Sequence, residues 1–208
     1  MKRVAVSQRV DAWPDRGEVR DALDQRLVAF IAAAGGLAIP VPNALAAADA
    51  LPAWLAAVAP DAVVLSGGND IGEIPTRDRT EGLLLDHAQQ QGLPTLGICR
   101  GMQMLAWHAG TPLKRVAGHV RRRHQLSGRI VGEVNSFHQF ALADCPAGFE
   151  VLARSEDSEI EAIGHRTLPW EGWMWHPERE AVFCPADIAR FRALLSPDQS
   201  LPASRGLC

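Results

Sequence analysis

The chain has 208 residues, of which 47% are hydrophobic and 22% charged, with a formal net charge of −3 at pH 7. That size gives one domain with a sizeable core, and the slightly acidic balance excludes a general nucleic-acid binder. No apolar run approaches the roughly 20 residues that cross a bilayer, and the apolar stretch after Met1-Lys2-Arg3 is too short for a signal peptide.

A first strand is expected over 3–7. Residues 19–34 carry Leu23, Leu27, Phe30 and Ile31 at helical spacing, and Gly35-Gly36 ends that helix. A strand over 37–42 follows, then a helix over 44–58 interrupted near Pro52. Next come a strand over 62–66, a helix over 81–91, a strand over 95–98 and a helix over 102–109. Short strands are expected over 129–134, 150–153, 160–163 and 173–175. A closing helix over 187–195 precedes a tail at 197–208. Strands alternating with helices imply an α/β domain over 1–196, with a mostly parallel central sheet flanked by helices. Ligands of such sheets sit beyond the carboxyl ends of the strands.

The stretch Leu96-Gly97-Ile98-Cys99-Arg100-Gly101-Met102-Gln103-Met104 is the most informative. A buried strand stops at a cysteine and a helix starts just after it. The positive end of a helix dipole favours a thiolate there, and the bracketing glycines allow a sharp turn. This is the cysteine form of a nucleophile elbow. The plain alternative is a small buried hydrophobe, the usual fate of a free cysteine. Trp175-His176-Pro177-Glu178 supplies what a nucleophile needs. His176 ends an apolar strand, and Glu178 can bend back to a ring nitrogen and set the tautomer.

At these residues the chain resembles the class I glutamine amidotransferase-like family, within it the γ-glutamyl hydrolase branch. Leu65-Ser66-Gly67-Gly68-Asn69-Asp70, the Cys99 elbow and Trp175-His176-Pro177-Glu178 carry the match. Val134-Asn135-Ser136-Phe137-His138-Gln139 looks like the hydrolase branch rather than the synthetase-linked amidotransferases. Val4-Ala5-Val6-Ser7-Gln8-Arg9-Val10 and Trp175 to Glu180 look like hydrolases found with bacterial surface-polysaccharide genes, among which are γ-glutamyl-CDP-amidate hydrolases. The resemblance implies a flavodoxin-like fold and a Cys99, His176, Glu178 triad. It implies a γ-glutamyl small-molecule substrate, with γ-glutamyl-aminobutyrate and a CDP-linked amidate both in range. A glutaminase that passes ammonia to a synthetase would carry the same triad.

Gly67-Gly68 has a bland reading as a flexible turn. Its sharper reading, which the resemblance supports, is an oxyanion hole made by the N–H groups of Gly68 and Arg100. Gln103 lies one helical turn after Cys99 and points the same way. The resemblance implies that it contacts the glutamyl head group, with Gly67, Asn135, Ser136, Phe137 and His138 completing the pocket. His138 as a structural histidine is an equal alternative. Asp70 is better read as a helix cap than as a ligand.

Arg121-Arg122-Arg123 lies in the only dense basic run. It is either solvated surface or an anion site for a phosphate-bearing leaving group. Arg9 and Arg77-Asp78 are weaker candidates for that role. Trp170, Trp173 and Trp175 read as core, the last two on one strand face.

Cys99, Cys145, Cys184 and Cys208 show neither paired nor metal-type spacing, so a reducing cytoplasm is expected. No His, Cys and carboxylate cluster has metal-ligand spacing, and phosphate loops are absent. Neither metal nor cofactor is therefore expected. Nucleic acid and membrane are not expected partners, and a homodimer stays open.

Overall fold

The computed structural model describes residues 1–196. β1 (Lys2–Ser7) leads into a hairpin of β2 (Arg9–Trp13) and β3 (Glu18–Ala22), then α1 (Gln25–Ala33) and β4 (Gly36–Val41). Next come α2 (Ala44–Ala47), α3 (Leu51–Val58), β5 (Ala62–Leu65), α4 (Pro75–Gln91), β6 (Thr95–Ile98) and α5 (Arg100–His108). The second half holds β7 (Leu113–Arg115), β8 (Val120–Gly128), β9 (Gly132–Phe137), β10 (Phe140–Leu142), β11 (Phe149–Arg154), β12 (Ile160–His165) and β13 (Trp170–Trp173). α6 (Pro185–Leu195) closes the described chain.

One sheet runs in the order β4-β1-β5-β6-β13-β12-β11-β8-β9. The five strands from β4 to β13 are parallel, and β12, β11, β8 and β9 extend them antiparallel. The single α/β domain with a parallel sheet is thus present, with an antiparallel wing added. Strand residues alternate between two cores, as the two-residue period requires. Val4, Val6 and Val64 pack with Leu27 and Phe30 of α1 and Phe191 of α6. Ala5, Val63 and Leu65 pack with Leu51, Leu55, Leu84 and Met102 of the opposite helices. Trp173 and Trp175 stack in the first core, 5.3 Å apart between ring centroids.

Several boundaries depart from expectation. The helix expected over 19–34 begins only at Gln25, where Asp24 caps it by accepting from the Arg26 N–H at 2.8 Å. Residues before it pair with β2 instead, so Val19 is exposed rather than on an apolar helix face. The break in the helix expected over 44–58 precedes Pro52, which sits in the first turn of α3 where its missing N–H costs nothing. α4 starts at Pro75, ahead of the expected 81. The strand expected over 129–134 is wrong in place: residues 129–131 join β8 to β9, and the arginine run lies on β8. The short β7–β10 pair was not anticipated. The expected tail at 197–208 lies outside the described residues.

Candidate active site

Cys99 follows β6 and adopts φ +51°, ψ −105°. A Cβ-bearing residue in that region stores strain of about 1–3 kcal/mol. The surroundings hold it there. Its N–H donates to the Trp173 carbonyl at 2.7 Å, and its carbonyl accepts from the Gln103 N–H at 3.1 Å. A Cβ on Gly101 would lie 2.1 Å from the Leu65 carbonyl oxygen, so only glycine lets α5 start this close to β5. Cys99 is thus a pinned elbow at the carboxyl edge of the parallel strands.

His176 arrives at the same edge, just past β13. Its Nδ1 is 2.6 Å from Glu178 Oε1, which leaves Nε2 for the cleft. Glu178 stands on the short turn Pro177–Arg179, and its carbonyl accepts from Arg26 Nε at 2.7 Å. Burial lowers the His176 pKa. The charge of Cys99, hydrogen bonding to Cys99 and the Glu178 carboxylate outweigh it and raise the value to about 9. The ring also packs edge-on to Phe137. A Cβ on Gly67 would lie only 2.6 Å from His176 Cε1, so the bare glycine is the seat of the imidazole.

The loop after β5 is held from behind by Arg77, which is fully buried. Its guanidinium donates to the carbonyls of Ser66 at 2.7 Å, Gly67 at 3.0 Å and Gly68 at 2.8 Å. In a trans peptide the N–H points opposite to the C=O. The Gly67 carbonyl facing Arg77 therefore aims the Gly68 N–H away from it, on the side where Gly68 and Cys99 line one cleft. The Arg100 N–H is among the unpaired donors of the first turn of α5. Its guanidinium turns away to Glu81, Asp78 and the Asn69 carbonyl. Glu81 thereby joins Arg77, Arg100 and Ser7 beneath the loop. Burial lowers the pKa of Arg77 to about 10 and of Arg100 to about 9, yet both stay charged at neutral pH.

The cleft, ≈ 350 Å³, is lined by Gly68, Cys99, Arg100, Gln103, His138 and His176, among others. Gln103 donates from Nε2 to the Phe140 carbonyl at 2.9 Å, which fixes the amide in the wall. Phe137 and Arg179 border this cleft and also a shallower groove of ≈ 600 Å³ containing Arg121, Arg122 and Arg123. Arg123 is already paired with Glu133 and Glu180. Among the described residues Arg121 and Arg122 make no ion pair.

Some residues lie elsewhere than expected. Asn135 turns away from the cleft: its Oδ1 accepts from the His176 N–H at 3.0 Å, and its Nδ2 donates to the His176 carbonyl at 2.8 Å. Ser136 is fully buried and donates to the His119 carbonyl at 2.7 Å. Arg9 pairs with Asp11 and lines a different cavity with Gly67 and Glu178, away from the arginine run. Arg77 cannot meet a ligand phosphate, because the loop carbonyls occupy it. Asp70 does not cap α4, whose cap position is Ile74. Asn69 instead ties down β2 through both backbone groups of Val10.

The expectation of no metal-type cluster also needs correction. His119, His124 and Glu161 offer ligand atoms within 4.8 Å of one another. They come from separate parts of the wing, so no local spacing announced them. The Arg77–Glu81 pair was likewise missed as a site support. Its i, i+4 spacing was visible, but such pairs usually lie on a solvated face.

The model of the family described as class-I glutamine amidotransferase matches residues 37–182. A γ-glutamyl-CDP-amidate hydrolase of Campylobacter jejuni is 33% identical over 125 residues, covering 57% of this chain and 62% of that protein. The match therefore spans less than two thirds of that relative. The glutamine-hydrolysing subunit of GMP synthase from Thermococcus kodakarensis is 32% identical over 146 residues, 64% of this chain and 74% of that one. In fold, a Thermoplasma acidophilum protein assigned as a GMP synthase component superposes with a TM-score of 0.71 at 22% identity, covering 94% of this chain and 93% of that one.

Proposed function

Because the chain belongs to the class-I glutamine amidotransferase family, we propose that it is a cysteine hydrolase that releases glutamate from a γ-glutamyl amide or phosphoramidate. The observation that carries this reading is the convergence of Cys99, His176 and Glu178 on one edge of the sheet. His176 takes the thiol proton, and the Cys99 thiolate attacks the γ-carbonyl. The N–H groups of Gly68 and Arg100 hold the oxyanion. Glu178 orients the imidazole and stabilises it once charged. His176 then protonates the departing nitrogen. Water hydrolyses the γ-glutamyl thioester, releasing glutamate and the free thiol. Gln103, Phe137 and His138 line the space for the glutamyl head group.

The leaving group is proposed to carry phosphate, as in a CDP-linked amidate. The groove beside the cleft supports this, since Arg121 and Arg122 make no ion pair among the described residues and Arg179 joins both spaces. Guanidinium forks match phosphate oxygens. The Campylobacter jejuni relative acts on such a substrate by its name. The GMP synthase relatives favour a second reading, a glutaminase that feeds ammonia to a partner synthetase.

Glutamate release by the purified chain alone separates the readings. Glutamine, γ-glutamyl-aminobutyrate and γ-glutamyl-CDP-amidate are compared, with Cys99→Ala as blank. Preference for the nucleotide substrate supports the proposal. Preference for γ-glutamyl-aminobutyrate removes the phosphate role of the arginines. Turnover of glutamine only with an added synthetase supports the ammonia-delivery reading. Turnover in Cys99→Ala near the unmodified rate overturns the mechanism.

A further inference from the structure

Behind the cleft, three histidines and a glutamate meet in the antiparallel wing. His119 precedes β8, His124 is on β8, His138 lies between β9 and β10, and Glu161 is on β12. They are 1%, 7%, 4% and 0% exposed, so all four are more than nine-tenths buried. Among the described residues, His119 Nδ1, both nitrogens of His124, His138 Nε2 and both oxygens of Glu161 lack a hydrogen-bond partner. A buried polar atom without a partner costs about 1–3 kcal/mol, so six in one spot require an explanation.

The other faces of two rings are already committed. His119 Nε2 lies 2.8 Å from Asp157 Oδ2, and His138 Nδ1 lies 2.9 Å from the Phe140 carbonyl oxygen. A carboxylate or carbonyl on the far nitrogen is the arrangement that fixes the tautomer of a metal-binding histidine and aims its lone pair inward. His124 Nδ1 is 3.4 Å from Glu156 Oε1, so Nε2 is its inward atom.

The inward separations decide between hydrogen bonds and a shared ion. His119 Nδ1 is 3.4 Å and His138 Nε2 is 3.5 Å from Glu161 Oε1. Both exceed the usual range of about 2.7–3.2 Å for an N–H···O bond. Ligands about 2.0–2.1 Å from a tetrahedral zinc ion stand roughly 3.3 Å apart, close to the spacing found. The His119 ring centroid lies 4.3 Å from that of His124 and 4.7 Å from that of His138.

We propose that His119, His124, His138 and Glu161 form a structural site for one divalent zinc-class ion. Four protein ligands fill a tetrahedral shell and leave no open position, which marks a structural rather than a catalytic site. Three imidazoles and one carboxylate suit zinc better than calcium or magnesium, which take oxygen ligands. The ion would pin β8, the β9–β10 connection and β12 together. It would also set the wall of the cleft through His138. The competing state is an ion-pair cluster of charged rings around Glu161.

The test uses the full chain without a histidine tag. The protein is stripped with chelator, equilibrated with zinc chloride, desalted and analysed for metal. The proposal expects about one zinc per chain, a rise in Tm on zinc addition, and the same retention in Cys99→Ser. Retention should fall at least tenfold in His124→Asn and Glu161→Gln. Cobalt chloride provides a readout that needs no variant. A tetrahedral nitrogen–oxygen site gives visible ligand-field bands without a thiolate charge-transfer band. No retained zinc with an unmoved Tm, or a thiolate band from cobalt, would overturn the proposal and leave the ion-pair cluster. Unchanged retention in folded His124→Asn and Glu161→Gln would overturn it too.

Discussion

The Asn135 side chain clamps the backbone of His176 from both sides, accepting from its N–H and donating to its carbonyl. The same Nδ2 reaches Glu180 Oε1 at 2.8 Å, so one amide sets where the strand end leaves the sheet. Asn135→Ala should therefore lower kcat by about 10- to 100-fold with little change in KM, since misplacement by about 1 Å can cost 10²-fold. A residue binding the glutamyl group would move KM instead. Steady-state kinetics on the preferred substrate distinguishes the two, and a dominant KM effect would return Asn135 to the substrate pocket.

Gly67 and Gly82 make a matched pair of alanine substitutions. A Cβ on Gly67 meets His176 Cε1 at 2.6 Å, whereas a Cβ on Gly82, inside α4, meets nothing within 4 Å. Gly67→Ala should displace the imidazole and cut kcat by about 10²-fold. Gly82→Ala should stabilise the chain by about 0.5–1 kcal/mol, raising Tm by about 2–4 °C. Calorimetry and kinetics on both proteins check this. Normal turnover in Gly67→Ala would mean that the ring moves without cost.

The catalytic elbow was legible because its signals are local. A short apolar run, Cys99 and two glycines adjoin one another, and His176-Pro177-Glu178 is contiguous. The β2–β3 hairpin was not legible, because Val19 with Leu23 and Leu27 completes a helical spacing that extends past Asp24. β8 was hidden by Arg121 to Arg123, since only His124 and Leu126 on that strand are buried. The His119, His124, His138 and Glu161 cluster spans 119–161 and exists only after β8, β9 and β12 come together. Arg77 looked like a surface cation because nothing in its neighbours reveals the three carbonyls that surround it.

That buried platform should be costly to break. Glu81→Gln leaves Arg77 and Arg100 without their shared carboxylate, and removing one partner of a buried ion pair costs about 3–5 kcal/mol. Arg77→Lys keeps the charge, but a single ammonium lacks the fork that reaches Ser66, Gly67 and Gly68 together. It should lower kcat further than stability alone explains, because the Gly68 N–H loses its aim. Urea unfolding and kinetics of the folded fraction test both. A loss below about 1 kcal/mol in Glu81→Gln would sink the platform reading.

His176 should titrate differently once Cys99 is removed. Burial pushes its pKa down, and the Cys99 charge is the foremost influence raising it to about 9. That value lies above the ordinary 6.5, so the stabilisation is full below pH 6.5 and fades as pH rises through 9. In Cys99→Ala burial gains weight and the ring pKa should fall. The His176 Cε1 proton followed by NMR reports the midpoint. An unchanged midpoint would show that Glu178 alone sustains the charge.

Asp187 gives the opposite placement of the window, at acid pH. It accepts from Trp175 Nε1 at 3.1 Å, beside the strand end that carries His176. Burial raises its pKa from 3.8 to about 6, outweighing the Trp175 bond. A carboxyl with a raised folded pKa holds its proton more tightly when folded, so stability falls as pH rises from about 4 to 6 and stays lower above. Asp187→Asn removes the charge but keeps an oxygen for the indole. The variant should match the unmodified chain near pH 4 and exceed it at pH 7 by about 1 kcal/mol, allowing for partial exposure. Chemical unfolding at both pH values measures the difference. A stability gap that does not grow with pH would mean that solvent or a nearby cation already compensates the Asp187 charge.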